Sequence, residues 1–421
     1  MQWRRGVCGM IVAAGMWISA GGAAAEALAD SKSAPLADQG LLPEDYWQQP
    51  VAKADRAIIA SGHWTPLEID LHPQSCGACH LSQFQAWRSS RHAHAYSAGL
   101  VGQFVDMGRD DVNACLSCHA PLAGEQLHTT AAVRASLQQT LRALQEPSPS
   151  QARVLPLRHS GVSCAVCHVR HGRRFGPPRR RLAGQSSPSQ QLGWQDGAAH
   201  SGFVASRAFE QSQFCAACHQ FPQSMAIHGK PLENTVAEWR QSRFAAQGVT
   251  CQQCHMPDRR HEFRGIHDPE MTRKGVRFAL QQVARSARFT ITSVWVGHAF
   301  PTYVTPEIVV RGEARDGDGK VLKRWQWRIG RAVRYRDGWQ EVRDSRIMPG
   351  EVRAFVAAPL PAAARSYHLQ VDVAPDHFYK GVYRDLLQAA GSPVAGQLIQ
   401  HAAKVANSDD YRLYERTLTL H

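Results

Sequence analysis

The sequence predicts a chain in two parts: a mainly α-helical region with little regular sheet, then an antiparallel β-sandwich-like domain with a short helical tail. Two observations predict this division. The pattern Cys-x-x-Cys-His occurs five times between residues 76 and 255, and no cysteine follows Cys254. After about residue 283, polar and apolar residues alternate in short runs separated by turn residues, which is typical of antiparallel strands.

The first 25 residues have the features of a secretory signal peptide. A basic pair, Arg4 and Arg5, precedes an apolar run over residues 7–20 and three alanines at 23–25. The apolar run is shorter than the roughly 20 residues of a membrane-spanning helix, so an uncleaved anchor is the weaker alternative. We therefore predict export to the periplasm, cleavage after residue 25 and no transmembrane segment in the mature protein. Residues 26–75 form a predicted leader segment.

Each Cys-x-x-Cys-His copy has the spacing that attaches haem c covalently. Two thiols one helical turn apart form thioethers with the vinyl groups of one porphyrin, and the following histidine binds the iron as its proximal ligand. A zinc knuckle or a redox disulfide does not require a fixed histidine five times. The predicted attachment residues are Cys76, Cys79, Cys115, Cys118, Cys164, Cys167, Cys215, Cys218, Cys251 and Cys254, and the predicted proximal ligands are His80, His119, His168, His219 and His255.

The cysteine count supports five covalently bound haem c groups. Of the 11 cysteines, Cys8 lies in the signal peptide and the motifs use the rest, so none remains for a structural disulfide. Successive motifs are too close in sequence for each to build its own apolar core, so the haems must supply much of the buried surface. We therefore predict a haem-packed multihaem cytochrome c region over residues 76–282.

Two further features stand out in this region. Val133, Leu137, Leu141 and Leu144 recur at helical spacing, which predicts a helix over residues 131–146 that ends before Pro147. After the third motif, arginines cluster over residues 173–181. This stretch is interpreted as a solvated basic loop or, alternatively, as a docking patch or a clamp for haem propionates.

The β-sandwich-like domain is predicted over residues 283–375, and the helical tail over residues 376–421. Alternation predicts strands at residues 288–296, 307–315, 320–329, 352–358 and 367–373. Asp316-Gly317-Asp318-Gly319 separates two of them and is a hairpin signal. Within the tail, residues 380–406 have helical character and are followed by a short extended end.

The chain carries a formal net charge of +13. A basic surface steers acidic partner proteins toward an exposed redox centre, although a solvated surface without any partner has the same composition. Export argues against nucleic acid as a ligand. The predicted partners are therefore redox proteins, either acidic or linked to membrane quinol. The oligomeric state is not predicted by the sequence.

The ligand on the other face of each iron determines the function. A second histidine gives a low-spin electron carrier, whereas an open position binds small molecules. The chain has 21 histidines, of which five are proximal, so sixteen are available for five positions. Counting alone therefore leaves both possibilities open.

Several segments resemble the cytochrome c-554/c-prime family of multihaem cytochromes, over about residues 76–375. In the haem region the segments are Trp87-x-x-Ser90-x-His92-Ala93-x-Ala95, Glu238-Trp239-x-x-Ser242, Gly248-Val249-x-Cys251-Gln252-x-Cys254-His255-Met256-Pro257 and His261-x-Phe263-x-Gly265-x-His267-Asp268. In the C-terminal part, Gly297-His298-x-Phe300-Pro301-Thr302 and Asp344-x-Arg346-x-x-Pro349-Gly350-Glu351 resemble β modules appended to such cytochromes.

The resemblance implies that His92 is a distal ligand, with His94 as a competitor. It also implies that His261 and His267 are distal to two different haems and that His298 reaches an iron from the β domain, unless it is a hydrogen-bonded turn residue. His200 is the fifth candidate. The reserve candidates are His128, His159, His171 and His228.

The named family type has four haems, so the fifth motif leaves the haem arrangement open. Pentahaem nitrite reductases use a Cys-x-x-Cys-Lys motif that is missing from this sequence, which disfavours that activity. We predict a periplasmic carrier that passes single electrons through closely packed, mostly bis-histidine haems. The alternative is an oxidoreductase that acts on a small nitrogen or sulfur compound at one five-coordinate haem. In either case the β domain is a candidate docking module.

Overall fold

The computed structural model describes Leu42, Tyr46, Trp47 and residues 65–146, 155–170, 172–178, 204–389 and 391–421. The predicted signal peptide, most of the leader, His171, His200 and much of the basic loop lie outside the described residues. No helix within the described ranges has the length and the apolar character needed to cross a membrane.

Helices dominate the first half of the described chain, and most of them are short. They are α1 (Pro66–Ile69), α2 (Pro73–Gly77), α3 (Leu81–Arg88), α4 (Ala98–Gly102), α5 (Arg109–His119), α6 (Thr130–Gln145), α7 (Cys164–His168), α8 (Ala216–His219), α9 (Thr235–Arg240), α10 (Arg243–Ala246), α11 (Cys251–His255) and α12 (Pro269–Gly275). Single-turn 3-10 helices link several of them, among them Ala123–Glu125, Leu157–Ser160 and Ser212–Cys215. The mainly α-helical prediction for this region is confirmed.

Helix α6 is the longest of these and lies where the apolar spacing predicted it. The Thr129 side chain caps it by accepting a hydrogen bond from the Ala132 amide at 3.0 Å. Val133 and Leu137 are buried, whereas Leu144 is exposed. The last residue of the predicted apolar face therefore lies outside the apolar cluster that buries the other two.

Short strands also occur in this half. β1 (Val169–Arg170), β2 (Arg173–Gly176) and β3 (Val204–Ala205) form one small sheet, and β4 (Ala226–Ile227) pairs with β5 (Lys230–Pro231). These strands are only two to four residues long. The region therefore has little regular sheet, as predicted.

The C-terminal half contains the extended antiparallel sheets. Its strands are β6 (Val276–Val283), β7 (Ser286–Ser293), β8 (Glu307–Arg315), β9 (Val321–Ile329), β10 (Arg331–Tyr335), β11 (Trp339–Asp344), β12 (Val352–Ala357), β13 (Ser366–Ala374) and β14 (Tyr411–Thr419). A four-stranded sheet has the order β14-β13-β8-β9, a three-stranded sheet has the order β12-β7-β6, and β10 pairs with β11. The antiparallel, sheet-rich prediction is confirmed.

The two larger sheets enclose one apolar core. Inward residues of both contribute to it, including Phe289 from β7, Ile308 from β8 and Leu369 from β13, each at most 1% exposed. Rings from the two sheets meet in this core, with Phe278 and Tyr414 centroids 4.6 Å apart. This face-to-face packing is that of a β-sandwich.

The predicted hairpin between β8 and β9 forms as its turn residues indicate. The Asp316 carboxylate accepts hydrogen bonds from the amides of Asp318 and Lys320, at 3.1 and 2.9 Å. Gly319 has a φ of +83°, a conformation that favours glycine. The turn chemistry of the sequence therefore specifies this connection.

Three elements differ from the sequence prediction. Strand β6 begins at Val276, before the predicted boundary at 283, and the β10–β11 hairpin was not predicted because its strands carry many polar and exposed residues. The tail contains helices α13 (His377–Ala389) and α14 (Pro393–Ser408) as expected. Its extended end is β14, which pairs with β13 and completes the four-stranded sheet.

The chain folds into two compact units. The first comprises the described residues of Met1–Cys218, Thr250–Phe263 and Ala389–His401, and the second comprises His219–Val249, Arg264–Gln388 and Ala402–His421. Each unit draws on separate stretches of the chain. The predicted domains, in contrast, are continuous segments, and their boundaries stay predictions.

Candidate haem sites

Each Cys-x-x-Cys-His motif lies in a short helix or at the end of one. Helices α7 and α11 coincide with the third and fifth motifs, α5 ends with the second, and α8 ends with the fourth. At the first motif, the His80 amide donates to the Cys76 carbonyl at 2.9 Å, which continues the turn that begins in α2. Residues three apart share one face of a helix, so this geometry directs both cysteines of a motif toward one porphyrin.

Two predicted proximal histidines are oriented by backbone carbonyls. The Nδ1–H of His119 donates to Ala95 O at 2.9 Å, and that of His168 donates to Phe175 O at 2.8 Å. A hydrogen bond at Nδ1 fixes the tautomer and leaves Nε2 to bind a metal. Burial lowers the pKa of both histidines, to about 4 for His168. Burial therefore favours the neutral form of both rings, which is the form that coordinates iron.

The other proximal candidates are less enclosed. His219 lies with Nδ1 3.9 Å from a Glu233 carboxylate oxygen and is exposed, as is His80. His255 ends helix α11 and is half-buried. All five nevertheless keep the same position, directly after the second cysteine of a motif.

Cysteines from different motifs lie in direct contact within the first unit. Cys76 hydrogen-bonds with Cys164, which lowers the pKa of Cys76 to about 7 and raises that of Cys164. Cys218 hydrogen-bonds with Cys118, and Cys215 with Cys251. The first motif is therefore a neighbour of the third, and the fourth touches both the second and the fifth. Cys167 of the third motif also lies close enough to Cys215 and Cys218 to raise the pKa of both thiols, so the two groups of motifs adjoin.

The third motif is packed against Tyr46 of the predicted leader, a segment for which we predicted no function. The Tyr46 hydroxyl donates to Cys167 O at 2.5 Å, and the buried Arg170 donates from Nε to Tyr46 O at 2.9 Å. The Arg170 guanidinium also lies 4.1 Å from the Tyr46 ring centroid, a cation–π contact. A basic residue two positions after the histidine of a motif is the only sequence signal of this arrangement, and it is too common to be specific.

Two of the predicted distal ligands, His92 and His261, contact the same phenylalanine ring in the first unit. His92 is half-buried, and its ring centroid is 4.3 Å from that of Phe263, whereas the competing His94 is exposed. Phe263 also contacts His261, with ring centroids 5.8 Å apart. The geometry favours His92 over His94 as the buried ligand.

His261 faces a proximal histidine. Its ring centroid is 6.1 Å from that of His168, and its Nδ1 is hydrogen-bonded to Arg259 O at 2.9 Å. Two imidazoles on one iron place their centroids about 6 Å apart, since a metal–imidazole bond is about 2 Å long and the ring centre lies about 1 Å further. His168 and His261 are therefore spaced as two histidines that would hold one haem iron.

The other distal predictions are placed differently. In the second unit, His267 Nε2 lies 3.1 Å from Asp376 Oδ2, and Asp409 completes a group whose ligand atoms are all within 4.8 Å. A carboxylate thus already engages the nitrogen that usually binds iron. His298 Nδ1 is hydrogen-bonded to Ala299 O at 3.0 Å, in keeping with either a ligand or a turn residue. His267, His298 and His200 as distal ligands stay predictions.

Helix-borne motifs with oriented imidazoles and adjoining cysteines define a multihaem c-type cytochrome, a carrier of electrons on haem c. More particularly, the chain belongs to the cytochrome c552 family, since the family model described as Cytochrome c552 matches residues 60–273, half of the chain. The resemblance to the cytochrome c-554/c-prime family stays a prediction.

A solved structure has the same fold. The chain is similar to the penta-heme cytochrome c552 from Thermochromatium tepidum, with a TM-score of 0.54 and 19% sequence identity. The similarity covers 85% of this chain and 100% of that one. No curated protein matches the sequence.

Proposed function

We propose that this protein is an exported, periplasmic five-haem cytochrome that carries single electrons between redox partners. The observation that carries the proposal is the contact between cysteines of different motifs, Cys76 with Cys164, Cys118 with Cys218 and Cys215 with Cys251. Because each sulfur is an attachment point, neighbouring sulfurs mean neighbouring porphyrins. Closely packed haems exchange electrons without any further catalytic group.

Most of the irons are proposed to have two histidine ligands. The 6.1 Å separation of the His168 and His261 rings supports this for the third motif, and the half-buried His92 is the candidate for another haem. When bound, haem iron alternates between ferric and ferrous states and so stores one electron. Two imidazole ligands keep it low-spin and six-coordinate in both states, which suits transfer rather than substrate binding.

The protein's part is to hold each imidazole in place and keep it neutral. Carbonyls of Ala95, Phe175 and Arg259 accept the Nδ1 protons of His119, His168 and His261. Such partners fix ring orientation and tune the potential of the attached iron. The proposed partners are acidic redox proteins or a quinol-linked donor, attracted by the formal charge of +13.

Electron paramagnetic resonance of the air-oxidised protein, together with haem counting by pyridine haemochrome, tests this function. We expect five haems per chain and low-spin ferric signals only. A high-spin signal near one haem per chain would instead indicate an open site, and nitrite, hydroxylamine and sulfur oxyanions are then the ligands to add. A count below five would contradict the proposal directly.

A separate experiment tests the partner class. If electrostatic steering operates, reduction by an acidic one-electron donor protein slows steeply as ionic strength rises, because salt screens the attraction. Reduction by a small uncharged reductant provides the control and is insensitive to salt. Equal salt dependence for both donors would reject acidic partners.

A further inference from the structure

The ring of His159 has a buried nitrogen that makes no hydrogen bond to any described residue. Its Nε2 is inaccessible to solvent and has no hydrogen-bond partner among the described residues. The residue lies in the 3-10 turn Leu157–Ser160, five positions before Cys164. The sequence marks it only as a reserve candidate because no family segment includes it.

An unsatisfied buried nitrogen is costly, at about 1–3 kcal/mol for a polar group without a partner. Native proteins therefore seldom leave one, and each instance requires an explanation such as a water, an ion or a ligand. The His159 ring is held edge-on by Tyr96, with centroids 4.9 Å apart. The imidazole is thus packed against Tyr96 and keeps one buried nitrogen without a hydrogen-bond partner among the described residues.

Two sets of contacts place this turn beside the second motif. The Arg158 amide donates to Glu125 Oε2 at 2.9 Å, and Arg158 Nε donates to Glu125 O at 3.2 Å. Glu125 ends the 3-10 helix Ala123–Glu125, shortly after His119. These bonds fasten the His159 turn to the segment that leaves the second motif.

The second set of contacts involves Tyr96. Tyr96, which packs on His159, directly follows Ala95, whose carbonyl accepts the Nδ1 proton of His119. Tyr96 also shares an apolar cluster with Cys115 and Leu116 of the second motif. One short segment therefore positions both His119 and His159.

We propose that Nε2 of His159 is the sixth ligand of the iron in the haem attached through Cys115 and Cys118, opposite His119. This inference rests on the proposed function, because it needs a haem at the second motif. It assigns His159 in place of His267, whose Nε2 is engaged by Asp376. The haem of the second motif is then bis-histidine and closed to substrates.

His159→Ala in the full-length, haem-loaded protein tests the assignment. We expect five haems still attached, with one of them converted from low-spin to high-spin or water-ligated ferric iron. Added imidazole restores the low-spin signal, because it occupies the position that the side chain left. The matched control is His401→Ala, an exposed residue of the same unit with no predicted ligand role, which leaves every haem low-spin.

A second variant keeps the test decisive if alanine disturbs folding. His159→Met retains a haem ligand, so we expect five low-spin haems, one of them at a higher midpoint potential because methionine raises it. Unchanged spectra and potentials in both variants, with five haems present, would overturn the assignment and leave the electron-carrier function intact. Fewer than five haems in the unsubstituted protein would contradict the proposed function itself.

Discussion

The two units of the molecule bury their apolar side chains in different ways. The second unit contains one large core, to which strands of both sheets contribute. In the first unit, the described buried residues form separate clusters, the largest around Val101, Phe104 and Leu116 and smaller ones around Tyr46 and Val166. The sandwich therefore has a core of its own, and we propose that the first unit depends on its haems to complete the packing between its clusters.

Withholding haem gives the largest expected difference between the units. In full-length chain produced without haem attachment, we expect the first unit to lose its ordered structure while the sandwich stays folded. Limited proteolysis with mass spectrometry then yields a protected fragment that contains residues 276–374. The haem-loaded protein under the same digestion is the control, and equal protection of residues 65–146 in both would contradict the account.

Truncating a core side chain of the sandwich also tests whether the second unit is stabilised by its own apolar core. Phe289 is 1% exposed and its ring stacks near Phe355 and Tyr414. Phe289→Ala should cost about 3–5 kcal/mol of unfolding free energy in the second unit, measured by calorimetry. The haem absorption spectrum should stay unchanged. Val352→Ala, at a position 57% exposed, is the control with an effect near zero.

A buried ion pair comes next in expected size. Arg331 is fully buried, donates to Glu341 Oε2 at 2.7 Å and binds the carbonyls of Pro231 and Lys230 at 2.6 and 2.9 Å. Arg331→Met should cost about 3 kcal/mol, because it leaves a carboxylate and two carbonyls without their donor. Arg324→Met removes an exposed partner of Glu313 and should cost at most about 1 kcal/mol. Similar losses of unfolding free energy in the two variants would contradict the expectation that the buried ion pair contributes more than the exposed one.

The smallest expected effect is a dependence of sandwich stability on acid. Burial alone would raise the pKa of Asp344, but hydrogen bonds and charge from Arg346 and Lys230 outweigh it and hold the pKa well below its usual range. A carboxylate with a depressed pKa stabilises the fold above its ordinary pKa and loses that contribution as pH falls below it. We therefore expect the melting temperature of the second unit to fall below about pH 4. Asp344→Asn should flatten this decline, and Asp318→Asn in the exposed hairpin should not.

The sequence predicts the haem chemistry well because the attachment is local. Two cysteines and a histidine at fixed spacing contain the whole covalent site, and the Asp316–Gly319 turn is similarly encoded by adjacent residues. The contact between Cys76 and Cys164 is different, since it depends on how separate helices pack around groups that the sequence does not contain. The pairing of β14 with β13 likewise joins segments that are separated by two helices in sequence, so local alternation does not predict it.

Tyr46 was missed and His159 was named only as a reserve candidate, for related reasons. Tyr46 belongs to a leader with little periodic signal, and only its bond to Cys167 shows that it supports the third motif. His159 occurs in a segment without a family pattern, and its significance appears only from the burial of Nε2. Both depend on tertiary surroundings, which one sequence does not reveal.

The most direct test of the central claim, a single cluster of five electron-carrying haems, is an anaerobic reductive titration of the purified protein that counts electrons per chain. We expect five electrons, taken up reversibly, with every haem reduced and reoxidised in the absence of any small-molecule substrate. An uptake below five electrons per chain, or a haem that stays oxidised after the others are reduced, would contradict it.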